Sequence, residues 1–307
     1  MRMQGGVSGK YKPSCYVLAL TTLPVIKINV LQDSNSIKST TTTYSNFKEF
    51  CRFMNANNFG IKVFNSSKEL EEEKSRIIKF VETFGLEFAK QYTCLASVRN
   101  YVFLDIIVDE HYLMIFENAS GDLSELKKLT RSNALTLFEN VYTICYKFLK
   151  NLHSKRVCYS DLKPENIFWS ITARSGFLTN SYSYRFIIGD LGSLCYPGDS
   201  NSKLSDRNYT YPDPLQSKFM NYYTFSNQAR LKAAKNTWIS IASAIKDPNG
   251  IFFLSVAKDW FHFGVAMIDF IIRTKNTQLQ RFILPIWTYF CSRPCITDEF
   301  YSFRMLL

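Results

Sequence analysis

Four polar side chains between residues 161 and 190 have the types and spacing that phosphate chemistry requires. Asp161, Lys163 and Asn166 lie in one run (DLKPEN), and Asp190 opens a second run (DLG). A carboxylate on a loop can orient a hydroxyl and accept its proton, while a nearby lysine balances moving negative charge. The oxygens of Asn166 and Asp190 are ligands that Mg²⁺ accepts. The set suits phosphoryl transfer from a magnesium-bound nucleotide, because that reaction depends on positioning and charge.

Strands dominate the elements expected in the first half of the chain. Apolar alternation and β-branched content predict strands within 16–31 and at 59–64, 101–108 and 111–117. Between them, residues 67–84 (SKELEEEKSRIIKFVETF) predict a helix with Ser67 as its N-cap. Its first turns are acidic, as the helix dipole favours.

Helices dominate the second half. Amphipathic periodicity predicts helices at 133–153, 226–246 and 259–273. In the first of these, one face carries Leu137, Val141, Ile144, Cys145, Phe148 and Leu152. The stretches 157–169 and 184–191 are expected to form strand and loop pieces, and 196–215 an exposed loop. A β-rich half followed by a helical half indicates the α+β class, and 307 residues suffice for two lobes.

Three motifs together resemble those of eukaryotic-type protein kinases. DLKPEN followed by DLG resembles the catalytic loop and the DFG motif of that family, and the preceding Leu152–Lys155 resembles the end of the helix that leads into the loop. Residues 258–265 (KDWFHFGV) are similar to the family's DxWxxG helix start, where Asp259 would tie the catalytic loop. The resemblance implies a bilobal fold, with a small β-rich N-lobe at 1–118 and a mainly helical C-lobe at 119–307.

The resemblance also assigns a phosphate-binding lysine. Gly60–Phe64 (GIKVF) resembles the family's VAIK motif, so Lys62 would bind the α- and β-phosphates and pair with a glutamate of the next helix. Glu71, Glu72 and Glu73 are the candidates for that partner. Glu73 leads because Ile77 and Ile78 follow it at a spacing that turns it inward. Lys27 remains an alternative lysine, although it would require an insertion of roughly 40 residues before the helix.

The implied function is that of a serine/threonine protein kinase that uses ATP and Mg²⁺ to phosphorylate proteins. Lys163 matches the serine/threonine form of the catalytic loop. Phe116–Ala119 resembles the hinge, with Phe116 as gatekeeper and the backbones of Glu117 and Ala119 against adenine. In this assignment Asp161 and Lys163 are catalytic, and Asn166 and Asp190 bind metal. The alternative is a pseudokinase that serves as a binding or scaffolding module.

The chain departs from the family pattern at three places. Leu31–Ser36 (LQDSNS) occupies the position of the glycine-rich loop, although glycines normally let backbone amides approach phosphates. Tyr159 and Ser160 replace the usual His-Arg, which predicts independence from activation-loop phosphorylation. Thr210–Pro214 (TYPDP) resembles a remnant of the family's substrate-anchoring segment. Such drift, with an AT-leaning composition, is typical of kinases encoded by large DNA viruses, which we take as the expected source.

Composition narrows the partners and the compartment. The formal net charge of +11 favours anionic partners, but the Lys and Arg residues form no block, so nucleic acid is suggested by charge alone. The eight cysteines include no CxxC pair, which predicts free thiols in a reducing compartment, the cytoplasm or nucleus of a cell, here an infected host. The apolar run Cys15–Ile26 is too short to span a bilayer and is expected to form a buried strand, so no membrane span is predicted.

Overall fold

The computed structural model describes part of the chain, and that part divides into two compact units. The described residues are 26–32, 36–42, 59–95, 97–98, 101–108, 111–117, 119–128, 134–175, 181–197, 199 and 248–291. The first unit runs to Leu123 and also includes Asn166–Gly192, and the second contains Ser124–Glu165 and the residues from Ser193 onward. Several expected features lie outside the described residues: strands before residue 26, the centre of the Leu31–Ser36 loop, the segment Thr210–Pro214 and the helix 226–246.

A six-stranded antiparallel sheet forms the base of the first unit. Its strands are β1 (Ile26–Gln32), β2 (Ser36–Thr42), β3 (Phe59–Phe64), β4 (Ser97–Val98), β5 (Tyr101–Val108) and β6 (His111–Glu117). The order is β2-β1-β5-β6-β3, with β4 added on β5. β3 therefore lies at the edge opposite the β1–β2 hairpin. The strands expected at 59–64, 101–108 and 111–117 are confirmed.

A second, three-stranded sheet completes the first unit. It contains β7 (Gly121–Asp122), β8 (Ile167–Ser175) and β9 (Ser181–Ile188), in the order β7-β8-β9. The end of β9 is bonded to the residues that precede β4: Cys94 N–H donates to the Ile188 carbonyl at 3.1 Å. This bond places the residues that follow β9 beside the first sheet.

Two consecutive helices follow β3; the first packs on the first sheet, and the second contacts β9. They are α1 (Ser67–Phe84) and α2 (Leu86–Tyr92), separated by Gly85. Gly85 has φ +86°, a left-handed value that glycine adopts without a steric penalty. The N-cap of α1 is Ser66, whose hydroxyl accepts a hydrogen bond from Glu69 N–H, so the expectation of Ser67 was wrong by one residue. Ser66 has the extended backbone that an N-cap needs, whereas Ser67 is the first helical residue.

The second unit is helical and has an aromatic core. Its main helices are α3 (Ala134–Ser154) and α4 (Pro248–Thr274), followed by α5 (Thr277–Gln280), α6 (Ile283–Ile286) and a π-turn at Trp287–Cys291. The expected inner face of α3 is buried at Leu137, Val141, Cys145, Phe148 and Leu152, whereas Ile144 is half-buried. Phe138 contacts Phe270 of α4, with ring centroids 5.8 Å apart. Helix α4 begins well before the expected residue 259, because Pro248 suits a first helical turn.

The described structure confirms a mixed helix-and-sheet architecture, with small sheets in the first unit and helices in the second. Four of the eight cysteines, Cys94, Cys145, Cys158 and Cys195, are buried free thiols. Within the described residues, no helix is both long and apolar enough to cross a membrane.

Gly189→Ala is expected to destabilise the first unit. A methyl group at residue 189 would lie 2.2 Å from Cε2 of the Phe168 ring, which is itself buried and cannot swing aside. Overpacking of this kind costs roughly 1–3 kcal/mol of the free energy of unfolding, and this site should reach the upper end. Urea unfolding measures the change. Ile171→Ala on β8 is the control: Ile171 is 48% exposed, so its loss should cost no more than about 0.5 kcal/mol. Equal midpoints for the two variants would contradict the expectation.

Candidate functional site

The first unit brings three of the expected site residues into contact. Lys62 Nζ lies 2.6 Å from Oε2 of Glu73 and 3.1 Å from Oδ1 of Asp190. Lys62 comes from β3, Glu73 from α1, and Asp190 from the short loop after β9. Because these residues are distant in sequence, the contact depends on how the helix and the two sheets pack.

Charge compensation explains why this lysine can be buried. Lys62 and Glu73 are both more than nine-tenths buried, whereas the Asp190 side chain is about a quarter exposed. Burial acts to lower the pKa of Lys62, but the charges of Asp190 and Glu73 outweigh it, so the pKa is raised above its ordinary value. Burial raises the pKa of Glu73, and the charge of Lys62 opposes that shift. Removing one partner of such a buried pair typically costs about 3–5 kcal/mol.

The geometry distinguishes the candidates that the sequence left open. Glu73 is buried and reaches Lys62, whereas Glu72 is exposed and Glu71 pairs with Lys74 at the surface. Lys27 belongs to β1, which β5 and β6 separate from β3 in the sheet. Lys62 and Glu73 are therefore the pair that meets Asp190.

The loop after β9 is tightly fitted around Glu73. A Cβ atom on Gly192 would lie 2.9 Å from Oε2 of Glu73 and 3.4 Å from Oδ1 of Asp190, so only glycine allows this approach. Asp190 itself has φ +50°, in the left-handed region that non-glycine residues seldom occupy. The loop backbone thus takes a costly conformation that turns the Asp190 carboxylate toward Lys62.

The remaining expected residues of the first unit are Asn166, Phe116, Glu117 and Ala119, and all four are buried or half-buried. Asn166 is buried, and its carbonyl accepts a hydrogen bond from Gly189 N–H at 2.8 Å, which joins it to the Asp190 loop. Glu117 N–H donates to the Cys94 carbonyl at 2.8 Å, and the Glu117 carboxylate accepts from Arg185. Ala119 is half-buried. Phe116, the expected gatekeeper, is completely buried.

The second unit contains the other two expected residues as an ion pair. Lys163 Nζ lies 3.0 Å from Oδ1 and 2.9 Å from Oδ2 of Asp161. Asp161 is 8% exposed, while the Lys163 side chain is more open. The ammonium therefore balances the charge of a nearly buried carboxylate.

Asp259 of α4 anchors the loop that carries Asp161. Its carboxylate is fully buried and accepts hydrogen bonds from Ser160 N–H at 2.6 Å and Tyr159 N–H at 2.9 Å. Nε2 of His153 lies 2.9 Å from the same carboxylate. Ser160 has φ +62°, and the two amide bonds to Asp259 offset the cost of that conformation. The contact predicted for Asp259 is present.

Sequence reasoning missed several residues that organise the site. Arg76 donates from Nη1 to the Gly192 carbonyl, and Arg185 joins Glu117 to the Lys90 carbonyl. His153 had been noted in its run without a role. Nothing in the spacing of these residues indicates their contacts, except that Arg76 follows Glu73 by one helical turn, on the same face of α1.

Two groups of side chains offer metal ligands. Asp190 and Asn166 are the expected magnesium ligands, and in the same unit the oxygen Oε1 of Glu73 is buried with no hydrogen-bond partner among the described residues. In the second unit, ligand atoms of His153, Cys158 and Asp259 lie within 4.8 Å of one another. In that second group, both carboxylate oxygens of Asp259 already accept hydrogen bonds from the backbone amides of Tyr159 and Ser160.

No protein-family model matches this chain, and no curated protein matches it. The candidate site's own residues define its chemistry. They provide a buried lysine held between two carboxylates in the first unit and a buried carboxylate paired with a lysine in the second.

Acid is expected to destabilise the second unit through His262. This residue is buried on α4, and burial, reinforced by the charge of Lys258, lowers its pKa from 6.5 to about 3. The folded state therefore favours the neutral imidazole of His262 over the protonated one. Its contribution to the free energy of unfolding is complete above about pH 6.5 and is lost as the pH falls toward 3, by up to about 1.4 kcal/mol per pH unit.

The variant His262→Gln cannot be protonated, so its stability should fall less steeply between about pH 6.5 and pH 4. Urea unfolding at several pH values measures that slope for both proteins. Glu139→Gln, an exposed change on α3, should keep the slope of the unmodified protein. An identical slope in His262→Gln would show that another group causes the acid sensitivity.

Proposed function

We propose that this chain is a serine/threonine protein kinase with a bilobal protein-kinase-like fold, which transfers the γ-phosphate of ATP to protein hydroxyls with magnesium. The observation that carries the proposal is the buried Lys62 ammonium between Glu73 and Asp190, at 2.6 Å and 3.1 Å. A lysine held by one buried and one partly exposed carboxylate is suited to exchange part of its pairing for phosphate oxygens. This role agrees with the family resemblance of the motifs around each residue.

The first unit would hold the nucleotide and the metal. Lys62 is assigned to the α- and β-phosphates, and the backbones of Glu117 and Ala119 to adenine. Asp190 and Asn166 fit Mg²⁺, because they supply a partly exposed carboxylate and a side-chain amide oxygen. The hydrogen bond from Gly189 N–H to the Asn166 carbonyl connects the backbones of the two segments that carry them. When bound, magnesium neutralises the charge of the triphosphate.

The second unit would act on the protein substrate. Asp161 is assigned to orient a serine or threonine hydroxyl and to accept its proton. Lys163, within 3.0 Å of both Asp161 oxygens, balances the negative charge as the phosphoryl group moves. Asp259 contributes rigidity, because two backbone amides bond to its buried carboxylate. The compartment that we propose is a reducing one, such as the cytoplasm or nucleus.

A pseudokinase that binds partners without transfer is the second candidate, and the order of the first sheet favours it. The β1–β2 hairpin would supply the loop that covers phosphates. That hairpin lies at the edge opposite β3, so three strand spacings, roughly 14 Å, separate β1 from the strand of Lys62. The hairpin also has Gln and Ser where glycines would let amides approach phosphate. Weak nucleotide binding follows if no other segment replaces this loop.

Removing one charged group from each unit should abolish transfer. Glu73→Gln removes the partner of Lys62, and Asp161→Asn removes the proton acceptor, so each variant should lose about 100-fold or more of the rate. Incorporation of labelled phosphate from ATP into casein or histone, with and without magnesium, measures it. The matched controls are Glu72→Gln on α1 and Glu139→Gln on α3, both exposed, which should keep the original rate. Equal incorporation of phosphate by Asp161→Asn and by the unmodified protein would contradict the proposal that this chain is a kinase.

Nucleotide binding should distinguish the two candidate functions. An active kinase should show a rise in unfolding temperature with ATP that grows when magnesium is added, because bound ligand stabilises the folded state. In Asp190→Asn the nucleotide effect should remain, while the additional effect of magnesium is lost. A pseudokinase without a nucleotide site should show no rise in either protein. Thermal unfolding with ATP alone, magnesium alone and both together provides the comparison.

A further inference from the structure

A buried arginine joins helix α1 to the loop that carries Asp190. Arg76 is only 9% exposed, although arginine seldom lies so deep without a specific partner. Its Nη1 donates to the backbone carbonyl of Gly192. Gly192 in turn lies against Glu73, where a Cβ atom would be 2.9 Å from Oε2. One face of the helix therefore holds the same short loop by a hydrogen bond and by close packing.

Two cations, Lys62 and Arg76, are needed to balance the carboxylates of this region. Glu73 and Asp190 are two carboxylates around a single ammonium, that of Lys62. Arg76 is one helical turn from Glu73 and adds the second positive charge, which brings the four-residue group to formal neutrality. Without Arg76, the two carboxylates would share one cation and repel each other, and the Gly192 carbonyl would lose a charge-assisted bond.

The loop needs such an anchor because its backbone is strained. Asp190 has φ +50°, a conformation that is costly for a non-glycine residue and persists only when surrounding contacts enforce it. The bond from Arg76 acts two residues later in the same loop. If that contact were lost, the loop would be free to relax and the Asp190 carboxylate would leave Lys62 in part of the molecules.

We propose that Arg76 is a positioning residue that clamps the Asp190–Gly192 loop to helix α1 and so sets the nucleotide site without any phosphorylated residue. This inference rests on the proposed function. It gives a physical basis for the expected independence from activation-loop phosphorylation, because the clamp is formed wholly by side chains and backbone of the first unit.

Arg76→Gln should raise the KM for ATP and leave kcat nearly unchanged. If the fraction of molecules with the loop in place falls to about a tenth, the apparent affinity for ATP falls about tenfold, since binding must first restore the loop. At saturating ATP the bound state is restored, so kcat should change less than about twofold. A merely structural defect would do the reverse: it would reduce the amount of active protein, and hence kcat, at constant KM.

Two matched variants complete the kinetic test. Lys68→Gln removes an exposed cation from the same helix and should leave KM unchanged. Arg76→Lys keeps the charge but lacks the planar guanidinium, so its KM should lie between those of Arg76→Gln and the unmodified protein. Phosphatase treatment of the unmodified protein should not alter KM. An unchanged KM in Arg76→Gln, or a phosphatase effect as large as that of this variant, would overturn the proposal.

A measurement without nucleotide separates this inference from the proposed function. Amide hydrogen exchange in the segment 189–194 should be at least about fivefold faster in Arg76→Gln than in the unmodified protein, and unchanged in Lys68→Gln. If the unmodified protein neither binds ATP nor transfers phosphate, the proposed function fails, while faster exchange would still establish the clamp. If transfer is present and exchange is equal in all variants, the clamp fails and the proposed function stands.

Discussion

The burial of one ammonium group constrains the first unit more than any other interaction described. Lys62 is 8% exposed, and a lysine in that environment is tolerated only if negative charge lies beside it. Glu73 and Asp190 supply that charge from a helix and from a loop that are far apart in sequence. The sheet, helix α1 and the end of β9 must therefore dock in one arrangement, because any other would leave a buried charge without compensation.

Both units hold a strained loop residue by bonds to its backbone neighbours. In the second unit, Ser160 has a left-handed backbone, and Asp259 accepts hydrogen bonds from its amide and from that of Tyr159. In the first unit, Asp190 has a similar backbone, and Arg76 bonds to the carbonyl of Gly192. Each loop presents a carboxylate whose direction is fixed by a charged side chain of a neighbouring helix. This arrangement is expected where a carboxylate must be aimed before its ligand arrives.

The proposed kinase function is supported unevenly across the candidate site. The lysine, the helix glutamate and the loop aspartate form the contacts that the function requires, and the Asp161–Lys163 pair has the necessary chemistry. The β1–β2 hairpin is the element that agrees least, because the sheet order separates it from Lys62. Whether the chain acts as an enzyme or as a binding module therefore depends on which segment contacts the phosphates of the nucleotide.

The sequence alone determined the local elements. Apolar and β-branched runs predicted β3, β5 and β6, and amphipathic periodicity predicted α1, all at their observed bounds, because each signal lies within one continuous stretch. It also supplied the spaced Asp161, Lys163 and Asn166, since a loop motif is local. Tertiary structure distinguished Glu73 from Glu71 and Glu72 as the partner of Lys62, a pairing that the family resemblance favoured, and it alone placed the β1–β2 hairpin at the far edge of the sheet. It likewise revealed Arg76, whose bond to Gly192 spans 116 residues. Such choices depend on the packing of distant segments and on charge compensation in the interior, which no local pattern encodes.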